Sequence, residues 1–484
     1  MNRIKKAVSY ANILLFFAFC FFVYFDYCKL FTIAGRTFSL SFYISIIALP
    51  IFYISYFAFH RHDVDFVIKL LASSFFLLFV SSLGMSFIIT PTVGTKFSVQ
   101  PSTTVLSSAI KYAYDLALIP YFAFMLSHTK KKWICRSINI FLVAWITFGI
   151  FQTAVFYINK PFLWQIYDSI DVLKIMGSDS TLFARIRHNY GTFRFYGFAS
   201  EPASNCVLIC LLLTYLYWQI FRCKQKKAKL TFYWISAAFV LLFAVLTKSA
   251  SVFMGILIMA AFGLYILAKT KRITSLTTTV ILISVLALAV VTIIIPQTRT
   301  IFVNNFLFKL FDRTNQSTQY RYSTIWNDFM IFIRSPIFGI GDDNQGYFYA
   351  SNVSGTWMAA SPEAQLAIQG KRGLLSGGAI VPSFISGFGI FGIIVLALVT
   401  RSFVIYAKNT NPKWNTLKPY LQTFAAILFF LGLATIGFHR NYFFLLFLAS
   451  PLLGRFDEEG VPVYVRMTKP TEEYRKIRVT TIKI

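Results

Sequence analysis

The chain runs to 484 residues, 57% hydrophobic and 13% charged, with a mean hydropathy of +0.64. Soluble domains carry about 25% charged residues, so an ordinary soluble globule is excluded, and the long apolar runs exclude the weak short-segment alternation of a transmembrane barrel. The formal charge of +28 is no nucleic-acid footprint, because the inner positive residues cluster in short loops between apolar runs, as the positive-inside rule expects.

Met1 to Lys6 and the run behind them resemble a signal peptide. That run ends at Tyr24, Phe25 and Asp26 without a small-residue cleavage site, which predicts an uncleaved first span. Twelve spans are predicted, at about 8–25, 38–59, 66–89, 103–127, 135–158, 202–221, 230–247, 250–268, 275–295, 383–400, 420–438 and 441–454. A helix of about 20 apolar residues crosses a hydrocarbon layer of about 30 Å. The loops after the even-numbered spans are HRHD (60–63), SHTKKKWICR (127–136), RCKQKKAK (222–229), KTKR (269–272) and RSFVIYAKNTNPKWNTLK (401–418). With the basic N-terminus and tail, all fall on one side. The expectation is an all-α, polytopic membrane protein, one integral membrane domain over 1–484, with both termini cytoplasmic.

Lys111 and Asp115 lie four apart within the fourth span. They read as a self-neutralising pair, with proton-coupled transport as the alternative use. The six cysteines show no C-x-x-C spacing, and Cys28 alone falls clearly in an outer loop, so neither a zinc finger nor an outer disulfide is expected.

Two outer loops stand out by size, 159–201 and 296–382, the second far beyond the usual connection length. In the second, FVNNFLFKLFDR (302–313) reads as an interfacial amphipathic helix. Ile325, Trp326, Phe329, Met330 and Ile333 then recur at helical spacing, until Pro336 and Gly339 end that helix. Gly341 to Pro382 is rich in Gly, Ser and Ala and reads as a lid.

The first loop ends in RIRHNYGTFRFYGFASEP, where Arg185, Arg187, His188 and Arg194 precede any acid. Outer arginines also bind lipid headgroups or snorkel. The functional reading is an anion site in which arginine forks hold phosphate oxygens. Glu201 precedes Pro202 at a helix start. It reads equally as a helix-start acid or arginine partner, and as a base for a sugar hydroxyl. Arg321 lies in the second loop; if the loops meet, Arg194 and Arg321 clamp one pyrophosphate from two sides. Lys248, in LTKSASV, breaks the positive-inside bias and reads either as a tight-turn charge or as a third cation at the site. His439 and Arg440 form a minimal outer turn, where His439 can titrate near neutral pH.

These features resemble the O-antigen polymerase (Wzy) and O-antigen ligase superfamily of bacterial surface-polysaccharide membrane glycosyltransferases. The resemblance rests on twelve spans, an outer loop ending in RFYGFASEPASN, the LTKSAS turn, and R-Y-S-T-I-W-N-D-F-M-I-F-I-R-S-P-I-F-G-I-G at 321–341. It implies a GT-C-like membrane fold without metal or other cofactor. It also implies an undecaprenyl-pyrophosphate-linked oligosaccharide as substrate, a membrane-lipid environment, a chain-length regulator as partner, and the bacterial inner membrane as location. Arg194 and Arg321 match the family's loop arginines, with Arg187, Lys248 and Arg440 as further pyrophosphate ligands and Glu201 or His439 as candidate bases. Ligases of this group place a histidine before the span after the long loop. SGGAIVPSFISGFGIFG (376–392) has none, which favours a polymerase. The alternatives are an O-antigen ligase and, in a different class, a flippase or transporter, which would concentrate polar residues inside spans.

Overall fold

A computed structural model describes residues 2–22, 28–33, 36–38, 40–59, 66–93, 131–171, 193–195, 197–198, 205–221, 227–249, 312–342, 344–369 and 379–410, with isolated positions at 110, 114, 117–118, 121, 125, 129, 252 and 255–256. These residues are helical apart from turns and one small ribbon. Helix α1 (Asn2–Phe22) leads into an antiparallel hairpin, β1 (Cys28–Ile33) with β2 (Arg36–Phe38), and on to α2 (Leu40–Phe59) and α3 (Phe66–Val93). The described residues are otherwise helical, as the all-α expectation has it; the hairpin sits in the short connection between the first two spans, where paired strands bond backbone that a tight reversal would otherwise leave open.

Helices α4 (Lys131–Ile158), α5 (Pro161–Asp171), α6 (Asn205–Phe221) and α7 (Lys227–Leu246) follow. Next come α8 (Gln316–Arg334), a 3-10 turn at Gln345–Phe348, α9 (Tyr349–Val353), a second 3-10 turn at Trp357–Ala360, α10 (Pro362–Ile368) and α11 (Ile380–Thr410). Thus α1, α2, α3, α4, α6, α7 and α11 coincide with predicted spans. The spans predicted at 103–127, 250–268, 275–295, 420–438 and 441–454 lie wholly or mostly outside the described residues, as does the amphipathic helix predicted at 302–313.

Among the described residues, three helical stretches are long and apolar enough to cross a bilayer, Lys132–Ile158, Lys227–Leu246 and Val381–Ser402; shorter apolar stretches are Val8–Phe22, Ser41–Tyr56 and Phe76–Ile89. Leu14, Ile54, Phe87, Ile140, Leu242 and Ile394 are exposed on them. So much outward apolar surface would aggregate in water and suits lipid, which makes this a membrane protein.

Two bodies of packing matter for the site. In the first, α1, α2, α4, α6 and α7 close around aromatic side chains. Phe16 and Phe52 meet Tyr121 at 5.8 and 5.2 Å, and Trp145 meets Phe243 edge-on at 5.5 Å. In the second, α8 to α10 pack against one another and α8 against α11, which also meets α3.

The joint within the second body is unusual. Helix α11 is interrupted at Gly389 (φ 61°, ψ −155°), inside its apolar span. In hydrocarbon, freed backbone groups are tolerated only where protein re-satisfies them. Here the turn after α8 does so. Ile340 and Gly341 donate their N–H groups to the carbonyls of Ser386 and Gly387, at 3.0 and 2.9 Å. Ile390 and Phe391 donate to the carbonyls of Pro336 and Ile337, at 2.8 and 2.9 Å. The approach is close enough that a Cβ on Gly339 would sit 2.4 Å from the Gly387 carbonyl carbon. The Pro-x-x-Gly-x-Gly segment therefore does more than end a helix: it stitches α8 into a broken span.

Candidate functional site

Arg194 lies in irregular chain held by its neighbours. Phe193 and Phe195 are buried, Phe195 stacks on Phe243 at 4.6 Å and meets Trp145 at 5.1 Å, and Phe193 packs on Phe156 at 5.1 Å. The Phe195 N–H donates to the Leu246 carbonyl at 2.9 Å, joining this segment to the end of α7. Gly197 (φ +56°) turns the chain away, and its N–H donates to Gln152 Oε1 at 3.2 Å. Any Cβ there would strike Trp145 Nε1 at 2.8 Å.

The Arg194 side chain then reaches the turn that ends α7. Nε donates to the Thr247 carbonyl at 3.2 Å and Nη2 to the Lys248 carbonyl at 3.3 Å. Two bonds to adjacent carbonyls set the plane of the guanidinium. Thr247 stabilises the turn, its Oγ1 donating to the Ala244 carbonyl at 2.7 Å and accepting the Ser249 N–H at 3.3 Å. Lys248 sits at φ 47°, a left-handed conformation uncommon outside glycine. Partial burial, and then the positive Arg194 beside it, lower the Lys248 ammonium's pKa below its ordinary value. Two cations held side by side raise each other's energy, and an anion between them relieves it.

Arg321 is half-buried in the first turns of α8, and its carbonyl accepts from Thr324 Oγ1 at 2.8 Å. Near that end, the Arg313 guanidinium lies over the Trp357 ring at 5.5 Å, and Trp357 meets Tyr322 at 5.9 Å. Arg187, Glu201, His439 and Arg440 lie outside the described residues, as do Arg185, His188, Lys111 and Asp115.

Sequence reasoning missed a buried polar core beneath α8. Asn327 Nδ2 donates to the Gln345 carbonyl at 3.0 Å, Asn352 Nδ2 to Asn327 Oδ1 at 2.9 Å, and Ser323 pairs with the Tyr349 hydroxyl at 2.5 Å. Asp328 is the core's acid. It accepts from Ser386 at 3.0 Å and, at greater length, from Ser383 at 3.4 Å, both on α11. Gln345 Nε2 donates to the Ser383 carbonyl at 3.1 Å and Ser386 Oγ at 3.3 Å. On the far side, Ser82 Oγ of α3 accepts the Asp342 N–H at 2.8 Å, and Asn344 Nδ2 donates to Ser86 Oγ at 2.7 Å. An acid among hydroxyls and amides gives no recognisable motif, so only the recurrence of Ser323, Thr324, Asn327 and Asp328 on one side of the apolar periodicity hinted at it.

Burial pushes the Asp328 carboxyl up to about 7. Nearby Asp342 adds to the rise, and the Ser386 and Ser383 hydroxyls oppose it. The sign follows. With a native pKa raised above the ordinary carboxyl value of 3.8, the folded state holds a proton that the unfolded state has released. Stability therefore falls as pH rises from about 4 to about 7 and then levels, by about 4 kcal/mol at most. Asp328→Asn, shaped like the protonated acid, is expected to flatten this dependence. Thermal melts of purified protein from pH 5 to 8 check it; a variant with the wild-type slope would remove Asp328 as the cause.

A family model described as O-antigen ligase (Wzy_C) matches residues 235–364. The match covers the Lys248 turn, α8 with Arg321 and Asp328, and the Pro336–Gly341 stitch. No curated protein matches the chain.

Proposed function

We propose, from the similarity of residues 235–364 to a family described as O-antigen ligase, that this chain is a glycosyltransferase polymerising bacterial surface polysaccharide on the outer face of the inner membrane. The donor is a growing glycan on undecaprenyl pyrophosphate. The acceptor is the terminal sugar of a second lipid-linked repeat unit, and a chain-length regulator is the expected partner. The oxygen of the acceptor hydroxyl bonds to the donor's anomeric carbon as the anomeric C–O bond breaks. The electron pair leaves with the pyrophosphate, and the hydroxyl proton passes to Glu201, His439 or water.

The observation that carries the reading is the Arg194–Lys248 pair. It is a preoriented double cation, and the charge to be stabilised grows on the departing pyrophosphate. Donors already in place stabilise such charge without reorganisation. Arg321, with Arg187 and Arg440, completes the proposed anion site, and no metal is required. The absence of a histidine at 376–392 favours polymerase, while the description of the matched family keeps ligase as the second reading.

A gel of surface polysaccharide from a deletion strain tests this. Loss of the ladder with a single-repeat band remaining is the expected result. Loss of both, with lipid-linked polymer accumulating outside, would mean ligase, and single repeats trapped inside would mean transport.

Lys248→Gly separates charge from fold. Glycine adopts positive φ freely and relieves about 1 kcal/mol of strain, so thermal stability should hold or rise slightly while the ladder shortens. An unchanged ladder in that variant would remove Lys248 from the site.

A further inference from the structure

Helix α8 is inside out. Its polar residues Ser323, Thr324, Asn327 and Asp328 are buried, whereas Tyr322, Trp326, Phe329 and Ile333 are exposed, at 40%, 38%, 51% and 55%. Positions 322, 326, 329 and 333 form one stripe on a helix of 3.6 residues per turn. In water this helix would be rotated, since a soluble protein gains by turning such a stripe inward. It cannot be rotated here, because the polar face is bonded to Gln345, Tyr349, Asn352, Ser383 and Ser386.

The outward face does not stop at the helix end. Ile337 and Phe338 are exposed, Phe338 meets Phe391 at 5.5 Å, and Ile390, Ile393 and Ile394 carry the exposed apolar surface along α11. That helix is apolar and long enough to cross a membrane. The backbone stitch joins the two faces into one surface. Indole and phenol rings of the kind carried by Trp326, Tyr322 and Trp357 concentrate at the membrane–water boundary.

We propose that α8 lies in the plane of one bilayer interface, with Tyr322, Trp326, Phe329 and Ile333 in the acyl region and its polar face turned into the protein. Arg321 and Arg334 fall on opposite borders of the stripe, the position from which a guanidinium reaches lipid phosphate. A lipid-borne pyrophosphate lies in that same plane, so the helix sets the height at which Arg321 meets it. This last link rests on the proposed function; the membrane seat does not.

The test uses full-length protein, with its cysteines replaced, in phosphatidylethanolamine–phosphatidylglycerol vesicles. Spin labels are placed one at a time at Trp326, Phe329 and Ile333, with exposed Ser354 as the aqueous reference. Collision with oxygen and with a water-soluble nickel complex is read by electron paramagnetic resonance. The expected result is high oxygen and low nickel contact at all three stripe positions, about 5–10 Å below the phosphates. Nickel contact matching Ser354 would overturn the proposal, and so would low contact with both probes, which would mean that protein covers the stripe. Three independent sites guard against one variant failing to fold. A lipid-seated stripe with an active Arg321→Ala variant would leave the membrane seat standing and refute only the role of Arg321.

Discussion

Arg194→Ala is expected to abolish the long polysaccharide ladder while leaving the protein in the membrane at near-normal levels. Removing one preorganised donor from an anion-stabilising site costs about 10²- to 10³-fold in rate, and a processive polymer ladder amplifies any loss per step. The structural cost is smaller. The lost bonds run to the Thr247 and Lys248 carbonyls at 3.2 and 3.3 Å, while the Phe195 N–H still ties the segment to Leu246. Arg194→Lys keeps the charge but offers a single point donor in place of the planar fork, so it should restore little. Ladder length in a complemented deletion strain, read beside membrane protein level, checks this. A full ladder from Arg194→Ala would sink the site.

Gly339→Ala is expected to unfold the second body of packing. The residue sits at φ +67°, and its Cβ would lie 2.4 Å from the Gly387 carbonyl carbon and 2.5 Å from the Ser386 carbonyl oxygen. Both are backbone atoms and cannot swing aside. Left-handed backbone costs a non-glycine residue about 1–2 kcal/mol. Separating the stitch also frees backbone amides within an apolar span, at about 1–3 kcal/mol for each buried group left unsatisfied. The expected loss is at least about 3 kcal/mol, among the larger effects of a single substitution. Gly355→Ala is the matched control: its φ is +80°, but nothing lies within 4 Å of a Cβ there, so only the backbone strain is felt. Thermal melts and protease sensitivity of both variants decide the matter. Equal losses would show that the Gly339–Gly387 contact contributes nothing.

Much of this protein was legible before any coordinates. Apolar run length marked helices such as Lys227–Leu246 and Lys132–Ile158 as spans, because the hydrocarbon thickness sets a length that the chain must meet. The positive-inside pattern singled out Lys248 in sequence, and the structure sets its turn against the Arg194 side chain, a contact that no spacing announced. The periodicity at Trp326, Phe329 and Ile333 correctly announced a helix. It could not say which way that helix faces, since a period reports only that two faces differ, and lipid reverses the usual rule that the apolar one turns inward.

By itself, then, the sequence determined a helical membrane protein, the positions of the helices named above, and two arginines in segments with a family resemblance. Only the tertiary structure decided three further things. Asp328 meets Ser386 across 58 residues, Asp342 meets Ser82 across 260, and the turn at 336–341 closes the break in α11. Each depends on backbone or side-chain hydrogen bonds between distant segments. No local propensity encodes such bonds, because their partners become neighbours only once the helices have packed.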